Sequence, residues 1–312
     1  MEADLTEKLT VTSLPETADS EIAKLVVVAL STPEEEVVDK KNSVLCAGLD
    51  PADFEMGRGD DGLPGGVNKR GWSLRYVEAV APHAAAIKYN SNFWKGENDE
   101  PVLREIIDNA LGLDLVVIED SKLADIGSTN DAGLFYVAER DADAVTYSPF
   151  AGNMAEIVEQ GNNRNVGIIS MCLMSNPEYA RGKNKLVHIS DEYDPNDVVV
   201  VDNRLYVRQY MQLAHDAQKY GIDGIVIGAP GGKSHIQEDE VERARFYAGA
   251  DMLVLLPGVG AQGGEAQYIW KHFDPDHVIV NVGRALMFPK DGDHKAAAQY
   301  YQRTLNELRK VA

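Results

Sequence analysis

The sequence predicts an α/β fold of the (β/α)8 TIM-barrel class: a single barrel domain over residues 41–312 behind an N-terminal extension, residues 1–40, of helical pattern. Three observations lead there. From Val44 onward, short β-branched apolar runs alternate with stretches of helical length, as in a parallel sheet wound with helices. Eight such pairs fit in a chain of 312 residues, which is the barrel count. Charged and polar residues then collect where the apolar runs end, and this fold builds its active site at the C-terminal ends of its strands.

In the extension a helix is expected over residues 17–30, and Pro33-Glu34-Glu35-Glu36 reads as the first turn of another. The eight strands are expected at Val44 to Asp50, Ala85 to Asn90, Leu115 to Asp120, Ala142 to Tyr147, Val166 to Cys172, Gly224 to Ile227, Met252 to Leu256 and Val278 to Val282. The run Leu115 to Ile118 has the length and branching of a strand buried on both faces. Helices are expected between them, at 73–80, 101–111, 130–139, 154–159, 205–220, 238–247 and 265–273, with a last one over 295–310. Ser128, Thr129 or Asn130 offers a side-chain cap for the helix that follows the third strand. Two long polar loops, 56–72 and 178–203, follow the first and fifth strands, and either is a candidate lid.

A hydrophobic content of 44% supplies ample core. The formal charge of −20 disfavours nucleic acid and anionic membranes as partners, and means that an anionic substrate needs a locally positive pocket. The sequence has no apolar run of membrane-spanning length, and its start lacks the basic-then-apolar layout of a signal peptide. A cytoplasmic location is therefore expected. Cys46 and Cys172 sit inside apolar runs and read as buried thiols. The seven histidines form no ligand motif, so no metal is expected.

The chemistry is densest where the third strand ends, in Glu119-Asp120-Ser121-Lys122-Leu123-Ala124-Asp125. Alternation along a strand puts Ile118, Asp120 and Lys122 on one side if the strand continues that far. A lysine between two aspartates keeps its proton, which suits a proton donor and argues against a Schiff-base role. A plain surface ion pair is the alternative at this spacing. Other strand ends add Asp50, Lys88, Asn90, Ser175 and Asn176. The seventh and eighth strands run into Pro257-Gly258-Val259-Gly260-Ala261-Gln262-Gly263-Gly264 and Gly283-Arg284. Loops at those two positions commonly hold phosphate in this fold, with glycines admitting the anion and an arginine gripping it. The glycine spacing also matches a dinucleotide fingerprint, but the next strand lacks the acidic residue that reading requires. Lys88, Lys122 and Arg284 thus provide the positive pocket that the net charge demands.

Taken together, Gly48-Leu49-Asp50, Lys88, Asp120 to Thr129, Ser175-Asn176-Pro177, Pro257 to Gly264 and Gly283-Arg284 resemble the orotidine 5′-monophosphate decarboxylases, in order, from about residue 44 to 288. The resemblance implies a homodimeric barrel, free of metal and cofactor, that converts orotidine 5′-monophosphate to uridine 5′-monophosphate and CO2 in the last step of pyrimidine synthesis. It implies that Asp50 and Lys88 hold ribose hydroxyls, Asp120 faces the substrate carboxylate and Lys122 protonates C6. Asp125 and Thr129 would reach into the partner's site. Ser175 would read the pyrimidine edge, Gln262 would bridge base and phosphate, and Gly283 and Arg284 would bind phosphate. The first forty residues and the stretch after Pro177 depart from the family pattern. Two rival readings remain: a related barrel group that uses Mg²⁺ to hold an enediolate, and a phosphate-ligand binder without catalysis.

Overall fold

A computed structural model of the chain describes residues 41–52, 56, 62–231, 234–259 and 266–311. Eight parallel strands close into a barrel in the order β1-β11-β10-β9-β5-β4-β3-β2. They are β1 (Leu45–Leu49), β2 (Ala86–Tyr89), β3 (Val116–Leu123), β4 (Ala144–Tyr147), β5 (Gly167–Leu173), β9 (Gly224–Ile227), β10 (Leu253–Pro257) and β11 (Val278–Val282). β4 and β5 bury every side chain, and β3 buries its first four, Val116 to Glu119, before its polar end. Gly48 at the end of β1 stands against Gly283 at the end of β11. A Cβ there would lie 2.9 Å from the Gly283 Cα, so the two backbones meet only because Gly48 has no side chain.

Helices cover the barrel. Lys69–Val80 is capped by Asn68, whose side chain accepts from the Gly71 N–H. Glu238–Ala248 begins in a reciprocal capping box between Gln237 and Glu240. The last helix, His294–Val311, packs against both β1 and the helix Lys69–Val80, tying it to the first strand of the barrel. No described helix is long and apolar enough to cross a membrane. Residues 1–40, with the two helical segments expected there, lie outside the described residues, as do 57–61 of the first loop.

Three expectations need correction. The helix expected from residue 205 starts at Gln209, because 204–208 form a strand. The loop after β5 carries a small antiparallel sheet, β6 (Leu186–His188), β7 (Val199–Val201) and β8 (Arg204–Arg208), in the order β6-β8-β7. Its hairpin turns on Asp202 and Asn203, both at positive φ, the two-residue turn that matches strand twist. The signal was present: valines run up to the turn, and Leu205 and Val207 alternate with Arg204, Tyr206 and Arg208. Secondly, the helix after β3 starts at Gly127, without a side-chain cap. Asn130 instead turns back to Asp125, accepting from its N–H at 3.1 Å and donating to its carbonyl. Thirdly, the helix expected over 265–273 is only Gln267–Trp270 among the described residues.

Candidate active site

Two of the strand ends expected to carry chemistry, those of β2 and β3, meet in one ionic chain. Lys88 projects from β2 and is 6% exposed. Its Nζ donates to Asp120 Oδ2 at 2.7 Å, and the Lys122 ammonium donates to Asp120 Oδ1. The centre of the cluster is therefore an aspartate between two lysines, not a lysine between two aspartates. Asp125 lies exposed beyond the strand, accepting from the Ile126 N–H at 2.8 Å, and it forms no ion pair with Lys122 of its own chain.

Burial opposes the charge on Asp120, but the two ammonium groups prevail and hold its carboxyl well below the usual carboxylate range. Burial likewise disfavours the charge on Lys88, yet Asp120 and Asp50 together raise its pKa above the ordinary lysine value. Below the cluster, burial pushes the Cys46 thiol up to about 11 against the pull of Lys88, so Cys46 is a neutral thiol at neutral pH.

Lys122 reaches Asp120 by an unusual backbone. Its φ is +50°, and the pairing of β3 with β4 shifts register between Glu119 and Leu123. Simple strand alternation thus fails before Lys122, even though the two side chains meet. A non-glycine residue in the left-handed region costs on the order of 1 kcal/mol or more, and such strain clusters at functional sites. Its N–H donates to Thr146 Oγ1 at 3.0 Å, and Thr146 Oγ1 donates to Asp120 Oδ1 at 3.0 Å. Thr146 was missed in the sequence because its β4 position reads as core and its hydroxyl has no motif around it.

The remaining expected residues that the structure describes lie in segments that follow other strands of the barrel or in the helix after β3. Asp50 follows β1 and accepts from the Asn90 N–H at 3.0 Å, joining the ends of β1 and β2. Gly283 and the exposed Arg284 follow β11, with Arg284 opening the short helix Arg284–Met287. Ser175 follows β5 and packs tightly on Gly228 after β9: a Cβ on Gly228 would lie 2.7 Å from the Ser175 Cβ. His235 strengthens that junction through Nε2, 3.0 Å from the Met174 carbonyl. Thr129 lies exposed in the helix after β3, near Asp125 in the chain. Gln262, in the loop after β10, lies outside the described residues.

A family model described as Orotidine 5′-phosphate decarboxylase / HUMPS family matches residues 43–301. The chain belongs to that family. Orotidine 5′-phosphate decarboxylase from Halobacterium salinarum is 30% identical over 276 residues, covering 86% of this chain and 94% of that protein. The enzyme of the same name from Dehalococcoides mccartyi is 27% identical over 285 residues, covering 87% and 95%. Among solved structures, a putative orotidine-monophosphate decarboxylase from Toxoplasma gondii superposes with a TM-score of 0.71 at 20% identity, covering 94% of this chain and 96% of that one. Orotidine 5′-monophosphate decarboxylase from Methanocaldococcus jannaschii, complexed with the inhibitor BMP, gives a TM-score of 0.61 at 22% identity, covering 84% and 98%. The match to the family model begins within the first described segment and ends inside the last helix, so the barrel is the family's domain.

Proposed function

We propose that the chain decarboxylates orotidine 5′-monophosphate to uridine 5′-monophosphate and CO2, without metal or organic cofactor, as the last step of de novo pyrimidine synthesis. The observation that carries this reading is the Lys88–Asp120–Lys122 chain at the ends of β2 and β3. Loss of CO2 from C6 leaves a carbanion that no π system delocalises. A fixed ammonium beside that carbon stabilises the developing charge and then delivers the proton, and Lys122 is the ammonium with an exposed tip. Asp120, kept ionised by its two partners, meets the substrate carboxylate and loses that repulsion as CO2 departs. Lys88 and Asp50 hold the ribose hydroxyls, Ser175 the pyrimidine edge, and Gln262, Gly283 and Arg284 the phosphate. Binding energy from that remote phosphate can be spent on orientation at C6.

The family description also covers HUMPS proteins, which bears on the Mg²⁺-dependent rival. A buried Lys88 ammonium at the end of β2 repels a divalent cation from the place where that chemistry needs a carboxylate ligand. A binder without catalysis would have no use for three buried or strained charged groups held in one chain.

We further propose a homodimer with shared sites. Ile126, Phe135, Tyr136 and Phe150 form exposed apolar surface around the segment that bears Asp125 and Thr129, and Phe150 is 91% exposed. A second copy covering this surface buries it and brings Asp125 and Thr129 towards the partner's Lys122.

The test is spectrophotometric turnover of orotidine 5′-monophosphate by chelator-treated protein, with Lys122→Ala alongside. Unchanged wild-type turnover is expected, and a Lys122→Ala protein that binds uridine 5′-monophosphate but has lost kcat. Activity abolished by chelator and restored by Mg²⁺ would favour the rival. Near-normal kcat in Lys122→Ala would remove the proton-donor role.

A further inference from the structure

We propose that Thr146 is a positioning residue of this site, setting the Lys122 backbone and the Asp120 carboxylate in place through one hydroxyl; the proposal rests on the decarboxylase reading above. Thr146 lies in β4, the strand beside β3, and is 2% exposed. Its hydroxyl carries a single hydrogen, so the hydrogen-bond roles are determined. The Lys122 N–H can only donate, which makes Thr146 Oγ1 its acceptor at 3.0 Å. The hydroxyl hydrogen then goes to Asp120 Oδ1, also at 3.0 Å. That same carboxylate oxygen receives the Lys122 ammonium.

The four groups make a closed loop: Lys122 N–H to Thr146 Oγ1, Thr146 O–H to Asp120 Oδ1, and Asp120 Oδ1 back to Lys122 through its ammonium. The geometry needs such a device. Parallel pairing between β3 and β4 shifts between Glu119 and Leu123, so the ladder does not hold Lys122 in register. Lys122 also sits at φ +50°, a conformation that persists only where its surroundings over-determine it. The threonine hydroxyl stands in for a ladder acceptor at Lys122, the last of the three residues, 120–122, that the β3–β4 register skips. Replacing it with a methyl leaves the part-buried Lys122 N–H without its acceptor and removes one of the donors that fix Asp120 Oδ1.

A threonine that merely filled buried hydrogen-bonding capacity would affect stability, and would not separate the chemical step from nucleotide binding. The experiment compares Thr146→Val, which keeps the shape and removes the hydroxyl, with Thr146→Ser, which keeps the hydroxyl. Turnover of orotidine 5′-monophosphate and the Kd for uridine 5′-monophosphate are measured for both, and the crystal structure of Thr146→Val is determined. Misplacing a reacting group costs between about tenfold and a hundredfold in rate, so kcat of Thr146→Val should fall by that much with the product Kd nearly unchanged. Thr146→Ser should recover most of the loss. In the crystal, Lys122 should leave the left-handed region or its ammonium should leave Asp120.

Equal losses in the valine and serine variants, or a kcat within about twofold of wild type in Thr146→Val, would overturn the proposal, because hydroxyl removal at a functional hydrogen bond is expected to cost more than that. Lys122 and Asp120 unmoved in the Thr146→Val crystal would overturn it whatever the activity. Should the valine variant fail to fold, Thr146→Ala removes the hydroxyl without placing a methyl against Asp120 and carries the same comparisons. An inactive wild type would refute the decarboxylase reading, and the crystallographic comparison would still decide the role of Thr146.

Discussion

Asp120 is the residue on which the site's electrostatics turn, and its charge has a consequence for stability. Its carboxyl is held well below the ordinary range, burial being outweighed by Lys88 and Lys122. A carboxylate whose folded pKa is depressed stabilises the native state fully above its unfolded value of about 3.9, and that contribution fades as pH falls further. Between the two pKa values the loss is roughly 1.4 kcal/mol per pH unit. Lys88, held above the ordinary lysine value against the opposing effect of burial, stays protonated throughout that range while Asp120 titrates. Urea unfolding of wild type and Asp120→Asn at a series of pH values from neutral to acid should therefore give stability curves that converge below about pH 4. Curves that stay parallel would mean that Asp120 is not ionised by its partners in the folded protein.

At the scale of the element, the site depends on strand ends brought closer than side chains allow. Gly228, after β9, donates its N–H to the Leu173 carbonyl at 2.6 Å and presses against Ser175. A methyl there must push the β5 loop away, because Ser175 Cβ and Cα lie at 2.7 and 2.8 Å from its position. Overpacking of this kind costs about 1–3 kcal/mol. If Ser175 reads the pyrimidine, Gly228→Ala should weaken uridine 5′-monophosphate binding and leave the far-ultraviolet circular dichroism unchanged. Gly112→Ala is the control, since a Cβ at Gly112 meets nothing within 4 Å. Equal nucleotide binding in both variants would remove Ser175 from the base site. The inserted sheet β6-β8-β7 is a second lesson at this scale. Two of its strands, β6 and β7, occupy the loop read as a possible lid, β8 directly follows it, and a hairpin with Asp202 and Asn203 at positive φ accounts for the β7–β8 register.

At the scale of the whole molecule, the open question is where Asp125 acts. It is exposed, it makes no ion pair with its own Lys122, and it stands beside exposed Ile126. In a shared-site dimer, Lys122→Ala and Asp125→Ala are each nearly inactive alone. A mixed dimer combines the intact Lys122 of one subunit with the intact Asp125 of the other in one site, and both defects collect in the second site. Random re-association of equal amounts should restore about a quarter of all sites. Subunit exchange is checked with two differently tagged chains. Activity that stays at the level of the parents after demonstrated exchange would place Asp125 in its own subunit's site.

The sequence by itself determined the barrel and the set of strand ends that carry charge. Burial on both faces writes an unbroken apolar run, and the end of burial is where Asp50, Asp120 and Gly283-Arg284 could appear, so both are local facts of spacing. It also carried the signal for the β7–β8 hairpin in the alternation of residues 204–208, which a helical reading of the following stretch obscured. Only the tertiary structure decided who pairs with whom. That Asp120 lies between Lys88 and Lys122 depends on β2 and β3 being neighbours, and that Thr146 reaches both Asp120 and the Lys122 N–H depends on a register shift between β3 and β4. Hydrophobic periodicity records which residues leave water. It does not record the register between adjacent strands, and hydrogen bonds between residues 24 to 32 positions apart are set by that register alone.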